Sequence, residues 1–201
     1  MEKLYDKDIR EPLFDFLEEY YGKIRILEEK QIGRSRADIV MVMTNAVAGI
    51  EIKSDADTYS RLKRQVRDYD RYFDRNYVVA GASHGLHIRE HVPEWWGIIT
   101  VEWADGFVDF YMLREAQENP KLDRKKKLGL LWRPELVHIQ EINGLARYRQ
   151  KSKSFVIEKI LAKVPEDALK LQVSQELFER DYNEIDRIIR EYREGRGCGI
   201  R

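Results

Sequence analysis

Residues 48–69, AGIEIKSDADTYSRLKRQVRDY, join an apolar strand to a helix and decide the fold that we expect for the chain. Ile50 and Ile52 flank Glu51, which predicts a buried strand ending near Lys53. The residues that follow switch to the 3.6-residue period of an amphipathic helix. Its apolar positions are Leu62, Val66, Tyr69 and Phe73. Acidic, basic and amide side chains therefore meet where a strand gives way to a helix.

A first helix is predicted near the start of the sequence. Apolar residues recur at helical spacing across residues 6–22, with Asp6 or Asp8 as the cap and Gly22 as the stop. The expected apolar face contains Ile9, Leu13, Phe16, Leu17 and Tyr20. This helix precedes the strands of the predicted sheet.

Four short runs predict the strands around the quoted stretch. They are residues 23–33, 36–44, 45–53 and 76–82. The second run is almost wholly apolar, which is typical of a central strand, and Gly33 is expected to turn between the first two. The helix after the third strand is expected to begin at Asp55 or Asp57. Strands that alternate with helices indicate an α/β fold.

The second half of the chain changes character. Residues 97–115 predict two strands joined at Ala104-Asp105-Gly106, because Asp-Gly readily adopts the positive φ angles of a tight hairpin. Beyond Pro120 the pattern is helical, with Pro134 at a helix start and a further helical stretch over residues 154–193.

The predicted architecture is a central mixed sheet flanked by helices, followed by a helical region. We expect residues 1–119 to form the core. We expect residues 120–201 to form a C-terminal helical region that packs on the core or extends from it.

The composition restricts the classes of function. The formal net charge is +0, so nucleic acid would have to bind to local basic patches. The apolar stretches are too short to cross a bilayer, and residues 1–13 lack the apolar segment of a signal peptide. Cys198 is the single cysteine and cannot form an internal disulfide. We therefore expect a cytoplasmic protein without membrane contact.

Two carboxylates are predicted to converge at one edge of the sheet. Asp38 lies in the second strand and Glu51 near the end of the third, and antiparallel pairing would bring them together. Close carboxylates repel each other, and a hard cation such as Mg²⁺ or Mn²⁺ relieves that repulsion. The strand period directs Lys53 to the same face as Glu51 and Ile52 to the core. Lys53 can then orient water or hold a phosphate oxygen.

The same residues resemble the PD-(D/E)XK, or restriction-endonuclease-like, nuclease superfamily. Ala37-Asp38 stands where that superfamily usually has Pro-Asp, and Glu51-Ile52-Lys53 follows at a spacing of thirteen positions. The resemblance covers roughly residues 6–82. Three segments are similar to a small bacterial and phage family within the superfamily. They are RADIV, EIKSDADTYSRLKRQ and LLWRPEL.

The resemblance implies a metal-dependent hydrolase of phosphodiester bonds, with DNA as the expected substrate. Asp38 and Glu51 would bind Mg²⁺ or Mn²⁺ together with the backbone carbonyl of Ile52. Lys53 would activate or position the attacking water.

Further site residues follow from the same resemblance. Gln65 and Tyr69 form a Gln-x-x-x-Tyr motif similar to that of the exonuclease-like branch, and they would position the substrate strand. Glu11 corresponds to an additional acidic residue near the metal. Apart from the resemblance, Arg61 and Arg64 are candidates for substrate contact because of their positive charge.

Each assignment has a structural alternative. Spacing alone is weak, since Glu28-Glu29-Lys30 also follows Asp15 by thirteen positions, although Asp15 belongs to a helix. The carboxylates and lysine could instead form an ion pair at a sheet edge. Gln65 and Tyr69 could be an ordinary helix flank, and Glu11 an exposed helix residue.

The arginines of the predicted second helix are similarly ambiguous. They could follow a phosphate backbone or form a solvated face paired with aspartates. They are Arg64, Arg67, Arg71 and Arg75. The alternative function is a non-catalytic module of the same fold that binds nucleic acid or a protein partner, and a homo-oligomer is compatible with either function.

Overall fold

A mixed β-sheet forms the centre of the computed structural model, which describes residues 4–54, 57–81, 85, 87–104 and 106–180. In this part of the chain six strands lie side by side in chain order. They are β1 (Arg25–Ile32), β2 (Ser35–Val42), β3 (Val47–Lys53), β4 (Arg75–Gly81), β5 (Gly97–Ala104) and β6 (Phe107–Arg114). All the runs expected to be strands are strands.

The strand directions change across the sheet. β1, β2 and β3 pair antiparallel, β3, β4 and β5 pair parallel, and β6 returns antiparallel to β5. Parallel neighbours require a crossover connection, which a helix supplies between β3 and β4. The expected α/β class with a mixed sheet is therefore confirmed.

Helices cover both faces of this sheet. The described helices are α1 (Asp6–Tyr21), α2 (Leu62–Tyr72), α3 (Arg124–Leu128), α4 (Arg133–Ile142), α5 (Lys153–Lys163) and α6 (Glu166–Glu179). The apolar side chains of α1 pack with one set of alternating strand residues, while α2 to α6 pack with the other set. Alternate residues of a strand project to opposite faces, so α1 lies on one face and α2 to α6 on the other.

A glycine allows α2 to lie close to β3. A Cβ built at Gly49 would lie 2.2 Å from the ring of Phe73 and 2.7 Å from the ring of Tyr69. Separations this short are not tolerated between packed atoms, so both rings occupy space that any side chain would fill. The missing side chain lets Tyr69 reach the backbone of the neighbouring strands.

The start of α1 differs from the prediction, whereas its end agrees. Neither predicted aspartate is the N-cap: Tyr5 holds that position, and Asp8 accepts a 3.1 Å hydrogen bond from the Tyr5 N–H. The helix stops at Gly22, whose φ is 74°. Tyr20 is 48% exposed and so does not belong to the buried face, because the helical turn directs it past the edge of the core.

The start of the second helix is a further correction. α2 begins at Leu62 after a 3-10 turn over Tyr59–Arg61. Asp57 does not cap it, because its carboxylate accepts hydrogen bonds from the N–H and Oγ of Ser54, at 3.0 and 2.7 Å. The other predicted cap, Asp55, lies outside the described residues.

The helical region shares the core of the sheet. Its apolar residues pack with those of α2 and the strands in one continuous cluster. A buried ion pair of 2.6 Å joins Lys127 on α3 to Asp74, and Asp74 also accepts from the Val47 N–H at 2.7 Å. Pro134 lies in the first turn of α4, as predicted.

Some predictions fall outside the described residues. They concern Asp105 of the hairpin, Cys198, and the helical stretch beyond Arg180. The hairpin strands themselves are confirmed, since Ala104 pairs with Phe107. Among the helices of the described part, none combines the length and apolar character needed to span a membrane.

Candidate functional site

The candidate site lies where β2 and β3 separate. Their ladder is regular up to the pair Ile39–Ile50 and would next place Asp38 opposite Glu51. At that point Asp38 takes other partners: its N–H donates to the Tyr69 hydroxyl at 3.1 Å. Its Oδ2 accepts from the Ile52 N–H at 2.9 Å. The strands therefore open into a gap bordered by both acidic residues, as their antiparallel pairing predicted.

Glu51 is held by three side chains at the floor of this gap. It is only 1% exposed. Its Oε1 accepts from Lys53 Nζ at 2.6 Å and from Gln65 Nε2. Its Oε2 accepts from the Tyr69 hydroxyl at 2.8 Å. Both oxygens are thus satisfied, and the carboxylate has little freedom to turn.

Ile52 contributes its backbone to the gap and its side chain to the core. Its N–H bonds to Asp38, and the N–H and C=O of one strand residue point to the same side. The Ile52 carbonyl therefore faces the gap, whereas its side chain packs in the cluster that contains α1. Glu51 and Lys53 share the opposite face, as the strand period predicted.

The two carboxylates perturb each other electrostatically. Burial, followed by the charge of Glu51, raises the pKa of Asp38 to about 7. Burial also raises the pKa of Glu51, although Lys53 opposes this shift. The pair therefore resists carrying two negative charges, which is the condition that an added cation would relieve.

The possible metal ligands at this site suit a hard ion such as Mg²⁺. Within the described residues no group of three or more His, Cys, Asp or Glu side chains could hold an ion. Zinc sites need such a set. Magnesium commonly binds through one or two carboxylates and retains several waters. Asp38, Glu51 and the Ile52 carbonyl fit that description and provide only oxygen ligands.

An open cleft of about 340 Å³ surrounds this gap. Its lining is strongly charged and comes from α1, the β1–β2 hairpin, β3 and the start of α2. The lining residues are Asp6, Arg10, Glu29, Arg34, Ser35, Arg36, Asp38, Glu51, Ile52, Lys53, Asp57, Arg61, Arg64 and Gln65. A polyanion can therefore meet arginines at the rim before it reaches the carboxylates below.

Tyr69 occupies a different place from the one its predicted role requires. It is fully buried, so its hydroxyl has no route to a substrate strand. Burial, and then the charge of Glu51, raises its pKa well above the ordinary value, so the hydroxyl remains a donor. Tyr69 therefore positions Glu51 and Asp38. Gln65, by contrast, lines the cleft and contacts Glu51 directly.

The helix α1 contributes Arg10 to the cleft, while Glu11 is exposed and does not line it. Arg10 Nε donates to Asp6 at 2.6 Å, and Nη1 donates to Glu28 at 3.1 Å and to the Asp38 carbonyl at 3.4 Å. The i, i+4 spacing of Asp6 and Arg10 is visible in the sequence. Their orientation towards the hairpin is not.

The four arginines predicted to lie on the second helix do not form one surface, and Arg75 lies beyond the end of α2. Arg64 lines the cleft, and Arg67 is exposed away from it. Arg71 pairs with Asp123 at 3.7 Å, and Arg75 of β4 donates to the Ala116 carbonyl at 3.1 Å. Of the four, Arg64 alone lines the cleft.

The fold and site define an α/β protein with two coupled carboxylates and a lysine on the floor of an arginine-lined cleft. The chain belongs to the bacteriophage P4 protein cII family, whose model matches residues 1–196. No curated protein and no solved structure matches the chain.

Proposed function

We propose that the protein is a metal-dependent nuclease that hydrolyses phosphodiester bonds in DNA, with a restriction-endonuclease-like core of the PD-(D/E)XK superfamily. One observation carries the proposal. Asp38 and Glu51 meet beside Lys53 where β2 and β3 separate, and the three residues line an open cleft. The sequence resemblance rests on the same three residues.

The proposed cofactor is Mg²⁺ or Mn²⁺. Asp38, Glu51 and the Ile52 carbonyl would hold it, and a bound divalent ion supplies Lewis-acid polarisation of the phosphate. The raised pKa values of both carboxylates support this assignment, because a cation at this position would stabilise their charged forms.

The protein side chains would divide the remaining work. The ammonium of Lys53 lies 2.6 Å from Glu51 Oε1 and would donate to the attacking water or to a non-bridging phosphate oxygen. Tyr69 and Gln65 keep Glu51 in one orientation. Such positioning matters because a catalytic group misplaced by about 1 Å costs around 10²-fold in rate.

The decisive experiment is a cleavage assay on purified protein. Single- and double-stranded DNA and RNA would be incubated with Mg²⁺ or Mn²⁺, with and without chelator. We expect cleavage of DNA that requires metal and is lost in Asp38→Asn. The exposed variant Asp109→Asn, on β6 and outside the cleft, is the matched control and should retain full activity.

The assay also separates the alternative function. DNA that is bound but left intact with every metal would identify a non-catalytic module and contradict the nuclease proposal. The three hydrogen bonds to Glu51 are compatible with such a module, because they satisfy the carboxylate without a metal.

A further inference from the structure

Five arginines line the cleft, and they differ in how their charge is balanced. They are Arg10, Arg34, Arg36, Arg61 and Arg64. Arg10 pairs with Asp6 at 2.6 Å, and Arg36 pairs with Glu29 at 3.0 Å. The other three have no ion-pair partner within the part of the chain that the structure describes. Among these five arginines, Arg34, Arg61 and Arg64 are therefore the ones without a carboxylate at ion-pair distance in the described part of the chain.

The residues on either side of Arg34 in the β1–β2 turn are hydrogen-bonded to α2. The Gly33 N–H donates to the hydroxyl of Tyr72 at 3.1 Å, and Ser35 Oγ donates to Asp68 Oδ2 at 2.6 Å. The turn is thus bound on both sides of Arg34 to α2. The backbone at Arg34 is already ordered, so a ligand would have to order only the side chain.

The same helix connects the turn to the other two arginines. Arg64 lies in the first turn of α2, and Arg61 ends the 3-10 turn that leads into it. The hairpin and the start of α2 therefore provide three guanidinium groups to one cleft. None of the three is engaged in an ion pair within the described residues, so a phosphate group could pair with each of them without displacing the carboxylates that also line the cleft.

We propose that Arg34, Arg61 and Arg64 form a cradle that binds the phosphate groups of a DNA strand and guides it over Asp38 and Glu51. This inference rests on the proposed function for the identity of the polyanion. Arginine suits the task because its planar fork matches phosphate oxygens. Binding by the cradle does not require the metal, since none of its members touches the carboxylates.

The salt dependence of DNA binding tests the cradle separately from catalysis. Fluorescence anisotropy would measure the affinity for a fluorescein-labelled single-stranded oligothymidine in chelator, over a range of NaCl concentrations. Each phosphate contact contributes about 0.7 to the slope of log K against log [salt] for single strands. We expect Arg34→Ala, Arg61→Ala and Arg64→Ala each to reduce the slope by roughly this amount.

Two matched controls remove an arginine without removing a cradle contact. Arg36 lines the same cleft but is balanced by Glu29, and Arg67 lies on α2 outside the cleft. Arg36→Ala and Arg67→Ala should leave the slope unchanged. An equal reduction in all five variants, or no binding by the wild-type protein, would overturn the cradle.

The outcomes for the cradle and for the nuclease are distinguishable. Selective slope changes in a protein that cleaves nothing would support the cradle and contradict the nuclease. Metal-dependent cleavage with unchanged slopes in all three cradle variants would support the nuclease and contradict the cradle.

Discussion

The phenol hydroxyl of Tyr69 lies 2.8 Å from Glu51 Oε2 and also accepts the Asp38 N–H at 3.1 Å. One buried group thus bonds to both strands of the candidate site. Because both contacts are made from α2, the helix fixes the separation of the strands as well as the orientation of the glutamate.

Tyr69→Phe tests this arrangement. It removes the hydroxyl and leaves Glu51 Oε2 and the Asp38 N–H without that partner, which should lower the free energy of unfolding by about 1–3 kcal/mol. It should also weaken metal binding, because Glu51 can then rotate. Urea denaturation and Mn²⁺ titration would measure the two effects.

Tyr72→Phe is the matched control for that substitution. It also removes a hydroxyl from α2, but this hydroxyl accepts from the Gly33 N–H and not from the site. We expect some loss of stability and unchanged metal affinity. Equal metal affinity in both variants would show that Tyr69 does not position the carboxylates.

Metal binding should stabilise the native protein. A ligand at 100 times its Kd adds about 2.7 kcal/mol of stability, so saturating Mg²⁺ or Mn²⁺ should raise the Tm measurably. Asp38→Ala should abolish this rise, whereas Asp109→Ala should preserve it. The comparison would be made by differential scanning fluorimetry above pH 7, where Asp38 is ionised. A full metal response in Asp38→Ala would remove the site assignment.

The stability of the metal-free protein should depend on pH through Asp38. Its pKa is about 7 in the native state and 3.8 when unperturbed, so the native state binds more protons in the interval between them. Stability should therefore fall as pH rises from about 4 to 7. Asp38→Asn removes this contribution. The free energy of unfolding of this variant, relative to that of the wild type, should therefore increase by about 2–4 kcal/mol across that pH interval. If urea denaturation gave the same difference in stability between Asp38→Asn and the wild type at every pH, the raised pKa of Asp38 would be contradicted.

Lys53 should be essential for rate and dispensable for metal binding. Lys53→Ala should reduce cleavage by about 10²–10³-fold, the usual cost of losing one preorganised electrostatic contact. Lys53→Arg should not restore the rate, because a rigid fork cannot replace a compact ammonium at 2.6 Å from Glu51. Single-turnover cleavage, Tm and Mn²⁺ titration would be measured for both variants.

A purely structural lysine predicts a different pattern. If Lys53 only balances Glu51, arginine should substitute for it, and alanine should chiefly reduce stability by leaving a buried carboxylate unpaired. If Lys53→Ala cleaved DNA at the wild-type rate, the proposed role of Lys53 in the mechanism would be excluded.

The features of the site that follow from the sequence are those that a single structural period determines. Alternation along β3 correctly assigned Glu51 and Lys53 to one face and Ile52 to the other, because the strand geometry leaves no freedom. Antiparallel pairing of β2 with β3 likewise brought Asp38 towards Glu51. These inferences needed only local structure and one register.

Other features depended on contacts between distant segments. The start of α2 differs from the prediction because Asp57 bonds back to Ser54, a local competition that residue type alone does not resolve. The burial of Tyr69 depends on how closely α2 approaches the sheet. The place of Arg34 in the cleft depends on the docking of a hairpin turn onto that helix. None of these follows from periodicity.

The lack of a side chain at Gly49 extends the functional site to a residue with no functional group. Enlarging this position would lift the Tyr69 and Phe73 rings away from β3 and withdraw the hydroxyl from both strands. In a saturation-mutagenesis library selected for metal binding, Gly49 should therefore be as intolerant as Glu51. By contrast, a Cβ at Gly22 would meet nothing within 4 Å, so this glycine at the end of α1 is needed only for its positive φ of 74° and not for the volume it leaves free. The library would then identify Gly49 as part of the site, because the site depends on the volume that this glycine leaves free.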